Sequence, residues 1–305
     1  MNNYISLIGL GAVGGPLADL LFRKYNENFI LLSSEKFIHT LNNVYINGLS
    51  FCPTIVYKKD QLKKKLSVVF ICVKNYQLGD VKDLLSSLVD DDTIIVPLQN
   101  GVYSFDFFKT HFPNNVILEG FAQGPNTTII NNIYTYQKPG VFHIGSSQED
   151  WKNKAKFVFE LMKKANIDVF YDENINYSIW KKMMLNVAGN AVTALTGIDY
   201  CQFAKSQECQ KLCIEAMKEF SLVSRVCGVE FTQKDIDEII SYFLSFKVSK
   251  KTSMLEDVIN CRPTENDFLA GYIVKIANKH NILVPHIQTL YFLMKIKENV
   301  YLNTI

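Results

Sequence analysis

A lysine and two asparagines lie four residues apart in the second half of the chain and could support proton transfer. Lys182, Asn186 and Asn190 interrupt an otherwise apolar stretch. At about 100° per residue, this spacing places all three on one face of a helix. A solvent-exposed face would give the same spacing, but the apolar neighbours favour a hydrogen-bonded face or one that lines a site. The spacing therefore predicts a polar helix face whose side chains are hydrogen-bonded or line a cleft.

A hydroxyl and a carboxylate further along the chain could complete such a site. Ser253 precedes Glu265 by twelve residues. Glu265 begins a stretch whose periodicity predicts a helix over residues 265–280, with Thr264 or a neighbour as its cap. An acid in the first turn of a helix is also favourable for the helix alone, because it faces the positive end of the dipole.

A glycine-rich motif near the start of the chain predicts a phosphate-binding turn. It follows a strand-like run at residues 4–8 and precedes a predicted helix at residues 14–25. Glycines permit a tight turn, and backbone N–H groups at the start of the helix then face an anion. The predicted contacts are Gly9, Leu10, Gly11, Ala12, Val13 and Gly14. A glycine-rich turn without a ligand is the alternative, but the strand–turn–helix context favours a dinucleotide.

The residues after the second predicted strand, at 29–32, bear on the choice of cofactor. A site for NAD usually places an acid there to hold the ribose 2′-hydroxyl. Here Ser33 and Ser34 hold that position, with Lys36 nearby, and these groups suit a 2′-phosphate. The sequence therefore favours NADPH, while Glu35 keeps NADH possible.

Polar residues follow two further predicted strands, at residues 68–73 and 93–98. Lys74 comes directly after the first strand, and Asn100 comes shortly after the second. Ligands of parallel sheets bind beyond the carboxyl ends of the strands, so both residues could contact the cofactor, and Asn100 the substrate as well. Ordinary turn residues are the alternative, since Asn-Gly is a common turn pair.

The surrounding elements predict an α/β protein of two parts. Apolar strands alternate with amphipathic helices in the first half, which is typical of a doubly wound, Rossmann-type parallel sheet. We place this dinucleotide-binding domain at residues 1–172 and an all-helical substrate domain at 173–305. Further strands are predicted at 116–118, 141–144 and 167–170, and a helix at 152–164. Helices are predicted at 175–194, 207–227, 233–246, 265–280 and 286–299.

Composition excludes several other classes of protein. The 305 residues carry a net charge of +2, which gives no global attraction to nucleic acid or to an anionic membrane. Seven scattered cysteines without a Cys-x-x-Cys pair, and five histidines without ligand spacing, predict no metal site. No signal peptide or membrane span is evident. We expect a cytoplasmic protein with a small-molecule ligand, either a monomer or a homodimer.

Taken together, the motifs resemble the ketopantoate reductase family over nearly the whole chain. The resemblance covers the glycine motif, Val73-Lys74, Gln99-Asn100-Gly101, residues 140–145, residues 180–194, residues 253–257, Thr264-Glu265 and Gly271. It implies a Rossmann domain followed by a helical domain. It also implies NADPH-dependent reduction of 2-dehydropantoate (ketopantoate) to pantoate, a step of pantothenate biosynthesis.

The resemblance implies a role for each matching residue. Lys182 resembles the family's general acid, and Glu265 an acid that contacts substrate or cofactor near it. The implied substrate ligands are Asn186, Asn190 and Ser253, with Lys182 and Asn100. Lys74, Asn100 and Asn126 are implied cofactor contacts.

The sequence departs from the family pattern at two places. Serines replace an arginine near the end of the second strand, and residues 120–126, which help to shape the pocket, differ from the family. There are two alternatives to this implied function. One is a related 2-oxo acid or opine-type dehydrogenase, and the other is a non-enzymatic NADP-binding sensor.

Overall fold

The computed structural model describes residues 3–304, which form two compact units. The first unit ends at Ser178 and the second begins at Ile179. Residues 1, 2 and 305, which begin and end the two predicted domains, lie outside the described residues. The predicted boundary at residues 172 and 173 lies just before the helix within which the two units divide.

The first unit contains all the strands of the described chain and the first four α-helices. The strands are β1 (Tyr4–Ile8), β2 (Phe29–Leu32), β3 (Tyr45–Ile46), β4 (Leu49–Ser50), β5 (Thr54–Val56), β6 (Leu66–Ile71), β7 (Ile94–Pro97), β8 (Glu119–Gln123), β9 (Asn126–Ile130), β10 (Ile133–Lys138), β11 (Val141–Gly145) and β12 (Val169–Tyr171). The helices are α1 (Gly14–Tyr25), α2 (Leu78–Leu88), α3 (Tyr103–His111) and α4 (Lys152–Lys164). The predicted bounds of β1, β2, α1 and α4 are confirmed.

A five-stranded parallel sheet forms the centre of the first unit. Its strand order is β5-β2-β1-β6-β7, with every neighbouring pair parallel. Because side chains alternate along β1, Ile5 and Leu7 pack against α1, whereas Tyr4 and Ile8 belong to a second core with α2 and α3. This order, with helices on both faces, is the Rossmann arrangement, and it confirms the predicted fold class. The order in which strands are added to the sheet reverses between β1 and β6, and ligands of such sheets bind at that point.

Two smaller sheets complete this unit, and among their strands the sequence predicted β11 and, with a shifted start, β12. One has the order β4-β3-β10-β9, and the other has β12-β11-β8. The strand predicted at residues 116–118 is wrong, since only Ile117 forms an isolated bridge, to Ile95. The antiparallel pair β9–β10 is short and half-exposed, so it lacks the continuous apolar runs that mark the central strands.

All regular elements of the second unit, over residues 179–304, are helical, as predicted. Its helices are α5 (Ile175–Thr196, which begins in the first unit), α6 (Tyr200–Phe203), α7 (Gln207–Val226), α8 (Gln233–Leu244), α9 (Ser253–Ile259), α10 (Ala270–Lys279) and α11 (Pro285–Leu302). The helix predicted over residues 265–280 is wrong at its start. A single 3₁₀ turn, Asn266–Phe268, comes first, and α10 begins only at Ala270. Leu269 breaks the helix because its backbone angles, φ −107° and ψ −87°, lie outside the helical region.

Candidate functional site

The glycine-rich turn lies at the carboxyl end of β1. Gly9 has φ +95°, and a Cβ there would lie 2.7 Å from the backbone nitrogen of Val73. A Cβ on Gly14 would overlap the carbonyl oxygen of Gly9. These two glycines are therefore required by the turn itself. Gly11 differs, because a Cβ added there would meet no protein atom within 4 Å. The space beside Gly11 suits close approach of a pyrophosphate to the backbone.

The residues after β2 lie at the adjacent strand end. The backbone nitrogen of Ser33 donates to Val56 on β5, and its hydroxyl donates to the carbonyl of Ser34 at 3.1 Å. The buried Ser34 hydroxyl oxygen has no hydrogen-bond partner among residues 3–304. Lys36 is exposed and pairs with Asp80 on α2 at 2.7 Å. A buried hydroxyl without a partner fits a bound ligand group, while Lys36 would have to leave Asp80 to reach one.

The turns after β6 and β7 are joined by two buried side chains. The amide of Gln99 donates to the carbonyls of Ile71 and Val73, both at 3.0 Å. The amide of Asn75 donates to the carbonyl of Asn100 at 3.1 Å. The structure therefore brings the segments of Lys74 and Asn100 side by side. The sequence pattern assigned no role to Asn75 or to Gln99, although Gln99 was part of a quoted motif.

Asn126 lies at the start of β9 and is exposed. The next residue, Thr127, donates its hydroxyl to the carbonyl of Ala12 in the glycine-rich turn at 2.8 Å. Asn126 is thereby held one residue from a direct contact with that turn. This proximity was outside the reach of the sequence pattern, because 115 residues separate Ala12 and Thr127.

In the second unit, α5 presents the predicted polar stripe. Lys182, Asn186 and Asn190 all lie within this helix at intervals of four, so they share one face. Asn186 and Asn190 are buried, whereas Lys182 keeps part of its surface exposed. The buried side-chain nitrogen of Asn186 has no hydrogen-bond partner among the described residues. Such a donor costs stability unless a ligand accepts its hydrogen bond.

Burial sets the acidity of the lysine. It lowers the pKa of Lys182 to about 8, while the carboxylate of Glu265 opposes this shift by attraction. A lysine with a pKa near neutrality can hold a proton at ordinary pH and also release it readily.

Two buried contacts fix the remaining predicted residues of the second unit. The backbone nitrogen of Thr264 donates to the carboxylate of Glu298 on α11 at 2.7 Å, which holds the segment of the buried Glu265. Thr252 caps α9 and bonds through its hydroxyl to that of Thr193 on α5 at 2.8 Å. Ser253, the first residue of α9, is exposed and follows Thr252 directly. These contacts connect the elements that carry the predicted residues of the second unit, which are Lys182, Asn186, Asn190, Ser253 and Glu265. The sequence alone did not indicate Glu298 or Thr252.

The arrangement of the first unit fits a nicotinamide dinucleotide. Its Rossmann sheet, the open space at Gly11 and the buried, unsatisfied hydroxyl of Ser34 are the features that such a cofactor requires. The second unit adds a lysine with a lowered pKa, Lys182, and the side-chain amides of Asn186 and Asn190. A fold and a set of side chains of this kind define a nicotinamide-dependent oxidoreductase.

Comparison with known proteins names the family. The family described as "Ketopantoate reductase PanE/ApbA" matches residues 5–149, and its C-terminal counterpart matches residues 174–298. The chain belongs to the ketopantoate reductase family, whose members are NADP-dependent oxidoreductases, and it is an enzyme of this class.

Individual relatives span the whole chain at low identity. A 2-dehydropantoate 2-reductase of Streptococcus pyogenes serotype M6 is 23% identical over 97% of this chain and 98% of its own length. The structure of 2-dehydropantoate 2-reductase from Methylococcus capsulatus has a TM-score of 0.84 at 24% identity, covering 98% of this chain and 97% of that one. D-mandelate dehydrogenase with NADH and anilino(oxo)acetate also has a TM-score of 0.84, at 21% identity, covering 98% and 99%. These structures share the fold.

Two features are absent from the described residues. Between residues 3 and 304 there is no helix of sufficient length and apolar character to cross a membrane. The same residues contain no group of three or more His, Cys, Asp or Glu side chains arranged to hold a metal ion. The predicted cytoplasmic location stays a prediction.

Proposed function

We propose that the protein reduces 2-dehydropantoate to pantoate with NADPH. The observation that carries this proposal is Lys182, an acidic lysine on the same helix face as two buried amides, in a chain of the ketopantoate reductase family. A non-enzymatic sensor would have no need of a proton donor beside the unsatisfied amide of Asn186.

The side chains of the second unit have distinct tasks in this proposal. The reduced nicotinamide supplies a hydride to the ketone carbon of the substrate. Negative charge then grows on the ketone oxygen, where the Lys182 ammonium stabilises it and donates a proton from Nζ. Asn186, Asn190 and Ser253 bind the polar groups of the 2-oxo acid. Glu265 keeps Lys182 protonated to higher pH than burial alone would allow.

The first unit holds the dinucleotide in this proposal. The backbone of Gly9 to Gly14 binds the pyrophosphate, and Ser33, Ser34 and Lys36 bind the 2′-phosphate. Lys74, Asn100 and Asn126 make further contacts, with Asn100 reaching the substrate. Serines in place of an acid after β2 support NADPH, while the exposed Glu35 nearby keeps NADH possible.

A second candidate is the reduction of a different 2-oxo acid. It is supported by the fold shared with D-mandelate dehydrogenase, which was solved with NADH and an oxo acid. The altered segment at residues 120–126 points the same way, since it departs from the family pattern and helps to shape the pocket.

A cofactor and substrate panel tests the proposal. Purified protein is mixed with NADPH or NADH and either 2-dehydropantoate or the 2-oxo acid that yields mandelate, and the absorbance of the reduced nicotinamide is followed. We expect fast consumption with NADPH and 2-dehydropantoate. Preference for the second acid would support the alternative. Binding of NADPH without turnover of either acid would contradict the reduction of 2-dehydropantoate and point to another 2-oxo acid or to a sensor.

The oligomeric state of the protein stays a prediction, and we expect a monomer or a homodimer. Light scattering of the purified protein distinguishes these states. We expect a small-molecule substrate and no nucleic-acid or membrane partner.

A further inference from the structure

The antiparallel pair β9–β10 lies against the glycine-rich turn and the start of α1. In this pair Thr127 faces Tyr136, and Tyr134 faces Ile129, so these side chains point to one side of the ribbon. The ring of Tyr134 packs on Gly15, where an added Cβ would lie 2.7 Å from ring atom Cδ1. The ribbon therefore contacts the turn through side chains from outside the glycine motif.

Two hydroxyls of the ribbon donate to carbonyl groups of the turn. The Tyr134 hydroxyl donates to the carbonyl of Leu10, and the Thr127 hydroxyl donates to the carbonyl of Ala12, both at 2.8 Å. Tyr134 is only 6% exposed, and burial raises the pKa of its hydroxyl, which keeps it a proton donor. The Tyr134 bond is part-buried, whereas the Thr127 bond is exposed.

These bonds fix the direction of two amide groups. The carbonyl of Leu10 shares a peptide unit with the N–H of Gly11, and the carbonyl of Ala12 shares one with the N–H of Val13. In a trans peptide the C=O and N–H point in opposite directions, and the described residues contain no cis peptide. Each hydroxyl therefore turns one N–H away from the ribbon, and at Gly11 the neighbouring space is open.

We propose that Thr127 and Tyr134 are positioning residues that hold the amides of Gly11 and Val13 ready for the cofactor pyrophosphate. The inference rests on the proposed dinucleotide binding and adds two residues to it. Without the hydroxyls, the two peptide units could rotate, and binding would have to restrict them again. The effect is therefore expected in cofactor affinity and not in the chemical step.

Hydroxyl-deleting variants test this inference. Thr127→Val and Tyr134→Phe keep the side-chain shape but remove the donor. We expect each to raise the dissociation constant of NADPH about threefold to tenfold, measured by fluorescence titration. The KM for NADPH should rise in parallel, while kcat and the KM for the 2-oxo acid stay unchanged. Thr127→Ser retains the hydroxyl and should bind NADPH like the unmodified protein.

Tyr136→Phe is the matched control on the same ribbon. Its hydroxyl donates to the Asp19 carboxylate on α1 at 2.8 Å, not to the glycine-rich turn. This variant should lower the thermal unfolding midpoint but leave NADPH affinity unchanged. Normal affinity in Thr127→Val and Tyr134→Phe, or an equal loss in Tyr136→Phe, would overturn the inference. Failure of the unmodified protein to bind either NADPH or NADH would instead overturn the proposed function.

Discussion

The carboxylate of Glu265 raises the pKa of Lys182, and burial lowers the same pKa more strongly, to about 8. The two groups come from different elements, α5 and the turn before α10. The balance between them decides at which pH the lysine carries the proton that reduction of a ketone requires.

The pH dependence of reduction should follow this balance. Protonated Lys182 is the active form, so we expect the rate to fall as pH rises through about 8. Glu265→Gln removes the influence that raises the pKa, and the midpoint should therefore move to lower pH. The measurement is kcat as a function of pH on both sides of 8.

Glu256→Gln on α9 is the control for this experiment. Glu256 pairs with Lys251 at 3.7 Å on a partly exposed surface. Its neutralisation should leave the midpoint in place. An unmoved or raised midpoint in Glu265→Gln would contradict the coupling between Glu265 and Lys182.

Removal of the lysine should abolish most turnover without affecting the cofactor. We expect Lys182→Ala to lower kcat by about 100- to 10,000-fold, the usual contribution of a general acid. NADPH binding, measured by fluorescence titration, should be retained, because the predicted cofactor contacts lie in the first unit.

The neighbouring Lys181 provides a matched control. Its ammonium pairs with Asp235 at 2.9 Å and with Glu238 at 2.5 Å on α8. Lys181→Ala should therefore keep its turnover. Equal losses in both variants would assign the effect to helix stability, and the assignment of Lys182 as the proton donor would fail.

Alanine variants of two buried asparagines, Asn186 and Asn115, should distinguish an effect on substrate binding from an effect on stability. Asn186 has an unsatisfied nitrogen, so Asn186→Ala removes no protein hydrogen bond at that atom. We expect about a tenfold higher KM for the 2-oxo acid, with little change in the thermal midpoint. Asn115 donates to the carbonyls of Asp90 and Thr93, both at 2.9 Å, so Asn115→Ala should lower the midpoint and leave KM unchanged. The reverse pattern would remove Asn186 from the substrate site.

Glycines of the turn should respond differently to the same substitution. Gly11→Ala meets no protein atom within 4 Å, so the protein should fold normally while the new methyl group obstructs the cofactor. We expect a normal thermal midpoint and weakened NADPH binding. Gly14→Ala places its Cβ against the Gly9 carbonyl and should lower the midpoint. Unchanged NADPH affinity in Gly11→Ala would exclude this turn as the pyrophosphate site.

Local patterns were sufficient for much of the fold. The apolar runs of β1, β2 and β6 predict a buried parallel sheet because both faces of each strand are covered. The four-residue spacing of Lys182, Asn186 and Asn190 predicts a shared helix face, since helical periodicity depends only on neighbours along the chain. The short ribbon β9–β10 and the break at Leu269 were not predicted, because contacts from other segments override local propensity there.

The sequence by itself determined the class of sheet, the glycine-rich turn and the polar face of α5, all of which depend on residues close together in the chain. Tertiary structure alone decided that Thr127 reaches Ala12, that Glu298 holds the segment of Glu265, and that Lys182 has a pKa of about 8. These features arise from burial and from groups far apart in sequence. Burial and distance belong to the folded arrangement, and no spacing of residue types contains them.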